Sequence, residues 1–286
     1  MLQGHQSDHS LPIHGKHGDS PHLPLPVPLL CCKQTDIIHR YALNYTKTPY
    51  RTTWVPLPDV AATRKKLGVP ACRKYPDGTD FLTLPVLYDP ATPSSSSSTT
   101  QQQQEEGTFI GDSFDIALHL HNKQQLSLPN SSSSSHPPLF PANTIALHRA
   151  FTAHIDTLFT LNGVLLAGYY TPFDPATASI SKTDFARRAG VAKWEDLEIP
   201  PGSEQRMEML RKFEEALEEG LARWFVKRDE GPWLEGGEGP MWADFVVGGW
   251  LMMMKECLPE WEELRGWSGG VWGRLHDALG EWRVVM

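Results

Sequence analysis

The amino-acid sequence predicts an α/β domain followed by an all-α domain, and three observations support this fold class. Residues 33–125 alternate between helical and strand patterns. Residues 141–286 carry apolar side chains at helical spacing throughout. Two low-complexity blocks, at 92–107 and 127–138, are rich in Ser, Gln and Pro. Such blocks cannot bury enough apolar surface to order themselves, so we expect them to be surface loops.

The same features divide the chain into four parts. Residues 1–30 form a His- and Pro-rich tail that we expect to be disordered. Residues 31–125 form the α/β domain with its insertion at 92–107, residues 126–140 form a Ser- and Pro-rich linker, and residues 141–286 form the helical domain. The histidines of the tail are irregularly spaced, which favours an unfolded polar segment over a metal-binding one.

Composition excludes several classes of protein. The formal net charge of −8 disfavours a nucleic-acid binder, because such proteins usually neutralise phosphates with an excess of Lys and Arg. Four cysteines in 286 residues exclude a disulfide framework. The longest apolar run, Phe245 to Met254, is shorter than the ~18 residues of a membrane span. Prolines within Leu23 to Cys32 disfavour a secretion signal, so we expect a cytoplasmic protein. Together with the charge and the short apolar runs, this predicts no membrane and no nucleic-acid partner. We also expect no bound metal.

Local patterns predict the elements of the α/β domain and two long helices of the second domain. Strands are expected at Tyr50–Val55, Phe81–Tyr88 and Thr108–Ile110, and a turn at Tyr75–Gly78. Helices are expected at Asp36–Tyr45, from Pro58 to Leu67, from Asp112 to about Asn122, from about Ile145 to Asn162, and from an N-cap at Ser203 to about Trp224.

Pro85 lies inside an apolar strand pattern, where its missing N–H removes a ladder hydrogen bond. A cis peptide bond between Leu84 and Pro85 would end the pairing there and turn the backbone of Val86 outward. Val86 would then pair its N–H and C=O with an extended peptide, as a strand is added to a sheet edge. The alternative is an edge-strand proline with no ligand.

Asp112 and Ser113 follow Gly111 at the predicted start of a helix. The free N–H groups and the dipole of a helix N-terminus attract a carboxylate, and the Ser113 hydroxyl can hold it as well. Asp112 can hold a neighbouring ammonium, so the pair suits the α-amino-acid end of a ligand. The alternative is an ordinary N-cap.

Four segments resemble the glutathione transferases. TLPVLYDP (83–90), GTFIGDSFDIALHL (107–120) and RYALNYTKTPYRTTWVPLPDV (40–60) resemble the N-terminal, thioredoxin-like domain of that family. GPMWADFVVGGWL (239–251) resembles a helix start in its C-terminal helical domain. The likeness covers roughly 33–280 apart from the two Ser-rich insertions. It is closest to the fungal branch that includes etherase-like enzymes and the transferase-like proteins of secondary-metabolite clusters.

The resemblance implies a glutathione site in the first domain. It implies that Pro85 is cis, that Val86 binds the cysteinyl backbone of glutathione, and that Asp112 and Ser113 bind its γ-glutamyl end. The resemblance further implies a homodimer.

The resemblance also implies a helix-capping role for Asp244. Members of the family usually carry Ser or Thr three residues before this Asp, but here the residue is Met241. We therefore expect a somewhat weaker helix start.

The N-terminus departs most from the family pattern. The first strand would have to be Leu25 to Leu30, where Pro26 and Pro28 make a poor central strand. Cys32 is the best candidate for the residue that activates the glutathione thiol, because it precedes the first helix, and Thr35 is the alternative. Cys32 can also be an exposed thiol without a function.

The resemblance implies an enzyme that joins the glutathione thiolate to a hydrophobic electrophilic or ether-containing small molecule, with glutathione as co-substrate. Its second substrate is expected between the domains, near Phe151, Phe159 and Tyr169. The alternative function is a non-catalytic binding or scaffold protein that keeps this fold with a degenerate first strand.

Overall fold

The computed structural model describes residues 27–31, 37–90, 107–127, 138–225 and 230–284. An α/β domain with a mixed sheet comes first and a helical domain follows, which confirms the predicted fold class. Residues 1–26 of the predicted tail and most of both low-complexity blocks lie outside the described residues. Residues 27–30, expected to belong to a disordered tail, form part of the first strand.

The first domain is built on a four-stranded sheet of order β2-β1-β5-β6. Its strands are β1 (Val27–Cys31), β2 (Tyr50–Trp54), β5 (Val86–Asp89) and β6 (Thr108–Ile110). β3 (Arg73–Lys74) and β4 (Asp80–Phe81) form a separate antiparallel ribbon. β1 runs parallel to β2, whereas β5 is antiparallel to both β1 and β6. The helices are α1 (Ile37–Tyr45), α2 (Val60–Lys66) and α3 (Ser113–Ser127).

The expectation of a poor central first strand is wrong. β1 lies between β2 and β5 and is therefore central in the sheet. Pro26 precedes the strand, and Pro28 pairs only with Arg51 of β2. β1 pairs with β5 only from Leu29 onwards, which is beyond both prolines. It therefore has a strand on each side only at residues that carry a backbone N–H.

The predicted strand Phe81–Tyr88 is also wrong, because it is divided in two. Phe81 ends β4, and β5 begins only at Val86. Pro85 lies between these strands, where its missing N–H costs no ladder hydrogen bond.

The helical domain consists of α4 (Ile145–Asn162), α5 (Ala178–Ala189), α6 (Glu204–Gly220), α7 (Trp242–Cys257), α8 (Trp261–Leu264) and α9 (Trp267–Ala278). Short 3-10 turns lie at Leu57–Asp59, Val164–Tyr169, Trp194–Leu197, Ala222–Trp224 and Leu279–Trp282. The predicted N-cap of α6 is confirmed, since the Ser203 hydroxyl accepts the N–H of Arg206 at 3.3 Å. Most tryptophans of this domain pack in the core: the buried ones are Trp194, Trp233, Trp242, Trp261, Trp267, Trp272 and Trp282.

The two domains share one apolar core. α1 packs against α7, where Gly249 allows an approach so close that a Cβ would lie 2.1 Å from Cγ1 of Ile38. Asn44 of α1 donates hydrogen bonds from Nδ2 to the carbonyls of Trp282 and Val284, at 2.7 and 2.8 Å. These contacts fix how the helical domain sits against the sheet.

Candidate functional site

The sheet register brings the two predicted site segments together. β5 and β6 pair with Leu87 opposite Ile110. The start of β5 therefore lies beside the end of β6, and the turn at 111–113 follows directly. The peptide bond between Leu84 and Pro85 is cis, as predicted.

Asp112 caps α3. Its Oδ1 accepts the backbone N–H of Phe114 at 2.9 Å and that of Asp115 at 3.3 Å. The ordinary N-cap, left open by the sequence, is thus observed. It occupies Oδ1 and does not by itself exclude a ligand at the second carboxylate oxygen.

Ser113 is the first residue of α3 and is half-buried. Its backbone N–H has no carbonyl acceptor among the described residues, as is usual in the first turn of a helix. This N–H and the hydroxyl lie at the positive end of the helix dipole, where a carboxylate is stabilised.

Gly111 allows a close approach between this turn and the residues behind it. A Cβ at this position would lie 2.4 Å from Cγ1 of Val69 and 2.5 Å from Nη2 of Arg64. Any larger residue would push the turn, and Asp112 with it, away from the sheet.

Val86 does not lie where an added peptide could pair with it. It is fully buried within β5, opposite Leu30 of β1, and its side chain packs with Val60, Val69 and Leu84. Its backbone therefore belongs to the sheet, which corrects the expectation that it faces outward. The side chain of Leu84, the residue before Pro85, is buried in the same cluster, but its backbone N–H and C=O form no backbone hydrogen bond among the described residues.

A buried arginine behind the site was not predicted. Arg64, at the end of α2, is fully buried and donates to the carbonyls of Pro70 and Thr83 and to Sγ of Cys72. Cys72 is exposed as a residue, but partial burial of its thiol raises the pKa, Arg64 opposes this increase and Asp112 adds to it. In the sequence Arg64 is one of three basic residues in a helix's last turn, a pattern typical of an exposed surface.

The helical domain brings a carboxyl group towards this site. Asp156 of α4 accepts the indole N–H of Trp250 at 2.9 Å. Burial raises its pKa, Arg73 of β3 lowers it, and Asp112 raises it further, so Asp156 is electrostatically coupled to both residues of the first domain.

The three residues expected around the second substrate lie apart. Phe159 is fully buried in the core and stacks on Trp250 with ring centroids 5.2 Å apart. Tyr169 is exposed against Tyr170. Phe151 packs on Trp224 and Phe225. They do not form one pocket.

The capping role expected of Asp244 is consistent with its contacts. The carboxylate is fully buried and accepts the N–H groups of Leu234 and Met241, both at 2.8 Å. Burial raises its pKa to about 6, although both hydrogen bonds oppose this increase.

Both candidate activating residues, Cys32 and Thr35, lie outside the described residues. In the part of the chain that the structure does describe, no group of three or more metal-binding side chains occurs. None of the described helices is long and apolar enough to cross a membrane.

The chain is similar to one protein-family model and to several solved structures. Residues 146–282 match the family model of the glutathione S-transferase C-terminal domain. A glutathione S-transferase of Ceriporiopsis subvermispora, solved in complex with glutathione, is 25% identical with a TM-score of 0.72, over 91% of this chain and 99% of that one. A glutathione transferase from Phanerochaete chrysosporium is 24% identical with a TM-score of 0.66, over 91% and 99%. Comparison with curated protein sequences finds no match.

Proposed function

We propose that this chain, which has the fold of the glutathione S-transferase superfamily, binds glutathione and transfers it to a small electrophile. The observation that carries the proposal is the β5–β6 register, which sets the free N-terminus of α3 beside Leu84 and Pro85. One segment offers unpaired backbone groups to a peptide, and the other offers a carboxylate site.

Two of the three parts of glutathione, the γ-glutamyl and the cysteinyl groups, then have partners in the first domain. The γ-glutamyl carboxylate binds the N–H and hydroxyl of Ser113, and the γ-glutamyl ammonium binds the Asp112 carboxylate. The cysteinyl backbone pairs with Leu84, one residue before the cis proline, in place of the Val86 expected from the sequence. The glutathione complex of the Ceriporiopsis relative supports a ligand of this kind.

The reaction follows from where such a ligand places its sulfur. Leu30 of β1 pairs with Val86, so the end of β1 lies beside the Pro85 segment that would hold the cysteinyl group. Cys32 and Thr35 follow β1 in the sequence, and we propose one of them as the donor of a hydrogen bond to the thiolate. The thiolate attacks an electrophilic carbon, the C–S bond forms, and the leaving group departs with its electron pair. The thiol proton is released to solvent.

The second substrate is a hydrophobic electrophilic or ether-containing small molecule, and we place the protein in fungal secondary metabolism. The neighbour solved with glutathione supports glutathione as the co-substrate. The choice of electrophile and of secondary metabolism rests on the sequence resemblance given above. We further propose a cytoplasmic homodimer. The alternative of a non-catalytic scaffold rested on a degenerate first strand, and β1 is a central strand of the sheet.

The test is a conjugation assay with glutathione and 1-chloro-2,4-dinitrobenzene on the full chain. Ser113→Ala should raise the KM for glutathione about tenfold, because it removes a hydrogen bond to a charged group. Ser203→Ala is the matched control, since it weakens a helix start far from the site and should leave KM unchanged. A rate no greater than that of the uncatalysed reaction, across several classes of electrophile, would contradict the proposal.

A further inference from the structure

One buried guanidinium links the two halves of the candidate site. Arg64 donates from Nη2 and Nε to the carbonyl of Pro70, at 2.7 and 3.1 Å, and from Nη1 to the carbonyl of Thr83. Thr83 directly precedes Leu84 and Pro85. The arginine therefore holds the backbone that leads into the proposed cysteinyl-binding segment.

The same guanidinium reaches the other half of the site through Cys72. Nη2 of Arg64 lies 3.0 Å from Sγ of Cys72, and this thiol donates to the carbonyl of Gly111 at 3.1 Å. Gly111 directly precedes Asp112, whose carboxylate is electrostatically coupled to the thiol. A continuous chain of hydrogen bonds thus runs from Thr83 through Arg64 and Cys72 to Gly111.

The positive charge of Arg64 also acts on the start of α3. Arg64 forms no ion pair with a carboxylate among the described residues, and its charge is satisfied by carbonyl groups and one thiol. The guanidinium lies directly against Gly111, where a Cβ would come within 2.5 Å of Nη2. Its positive charge therefore reinforces the positive end of α3, and both favour a bound carboxylate.

We propose that Arg64 and Cys72 are positioning residues that set the distance between the Thr83–Pro85 segment and the Gly111–Ser113 turn, and thereby the affinity for glutathione. Neither residue touches glutathione in this arrangement. The inference rests on the proposed function, because it concerns the same site.

Cys72 provides the clean test, because it is exposed and its replacement leaves no cavity in the core. Cys72→Ala removes both hydrogen bonds of the thiol. Cys72→Ser restores them, since a hydroxyl accepts from Arg64 and donates to Gly111. Cys257→Ala, the same change in α7 of the helical domain, is the control. The measurements are glutathione binding by titration calorimetry, glutathione KM and kcat, and the melting temperature of each variant.

We expect Cys72→Ala to weaken glutathione binding between about threefold and tenfold, the range of one net hydrogen bond. Its KM should rise by the same factor with kcat at saturating glutathione unchanged. Cys72→Ser and Cys257→Ala should bind as the unmodified chain does. Equal binding by the unmodified chain and Cys72→Ala would overturn this inference alone, and so would a Cys72→Ser variant as weak as Cys72→Ala. Absence of binding by the unmodified chain would overturn the proposed function and the inference with it.

Discussion

The start of α7 offers a sharp prediction, because its N-cap has the right backbone and the wrong side chain. Met241 has φ −115° and ψ 176°, the extended conformation of an N-cap. Asp244 already accepts the Met241 N–H at 2.8 Å, which is one half of a reciprocal cap. The other half depends on the thioether of Met241, and sulfur is a weak acceptor.

Met241→Ser should therefore stabilise the protein without any change of backbone. A serine hydroxyl at this position accepts from the N–H of Ala243 or Asp244. Serine exceeds alanine at an N-cap by about 0.5–2 kcal/mol, so the matched comparison is with Met241→Ala, which removes the same thioether and adds no oxygen. For a chain of this size, ~1 kcal/mol shifts the melting temperature by about 2–4 °C.

Thermal denaturation followed by circular dichroism measures this difference. We expect Met241→Ser to melt at least ~1 °C above Met241→Ala, and above the unmodified chain if the lost methionine packing is the smaller effect. A Met241→Ser variant that melts at or below Met241→Ala would contradict this prediction, because the cap would then contribute nothing at this helix.

Three further predictions concern buried polar groups. Glu260→Ala should lower the free energy of unfolding in urea by about 3 kcal/mol or more, since Arg206 is fully buried and loses two hydrogen bonds of 2.8 Å. Burial lowers the pKa of His121 and His148, so these side chains bind protons more readily in the unfolded state than in the folded one. The free energy of unfolding should therefore fall as the pH drops from about 7 to 5. A variant with Gln at both positions should show a shallower dependence of this free energy on pH. Burial raises the pKa of Asp156, so the folded protein favours the neutral carboxyl group and loses stability as the pH rises through that pKa. Asp156→Asn stays neutral, so its free energy of unfolding relative to the unmodified chain should grow between pH 4 and pH 7.

Local chemistry explains the parts of the site that the sequence predicted. Gly111 followed by Asp112 specifies a strand-to-helix turn, and the structure places the N-terminus of α3 there. A proline in an apolar run predicts an interruption of the strand. Neither signal depends on distant residues, which is why both are readable from one sequence.

The remaining features depend on strand register and on burial, which the local pattern of a single sequence does not reveal. The expectation at Val86 fails because the pattern locates the proline but does not show that the next residue is already inside β5. Pro28 predicts a poor strand unless the register shows that β5 begins pairing at Leu29. Arg64 has the pattern of a solvated helix end, and only the tertiary fold brings it against Thr83, Cys72 and Gly111.

The proposed glutathione site is tested most directly by titration calorimetry of glutathione into the unmodified chain and into Ser113→Ala. We predict saturable binding at one site per chain, weakened about tenfold or more by the substitution, because the Ser113 hydroxyl holds the γ-glutamyl carboxylate. Absence of binding by the unmodified chain, or equal binding by both proteins, would contradict the claim that the start of α3 and the segment at Pro85 form a glutathione site.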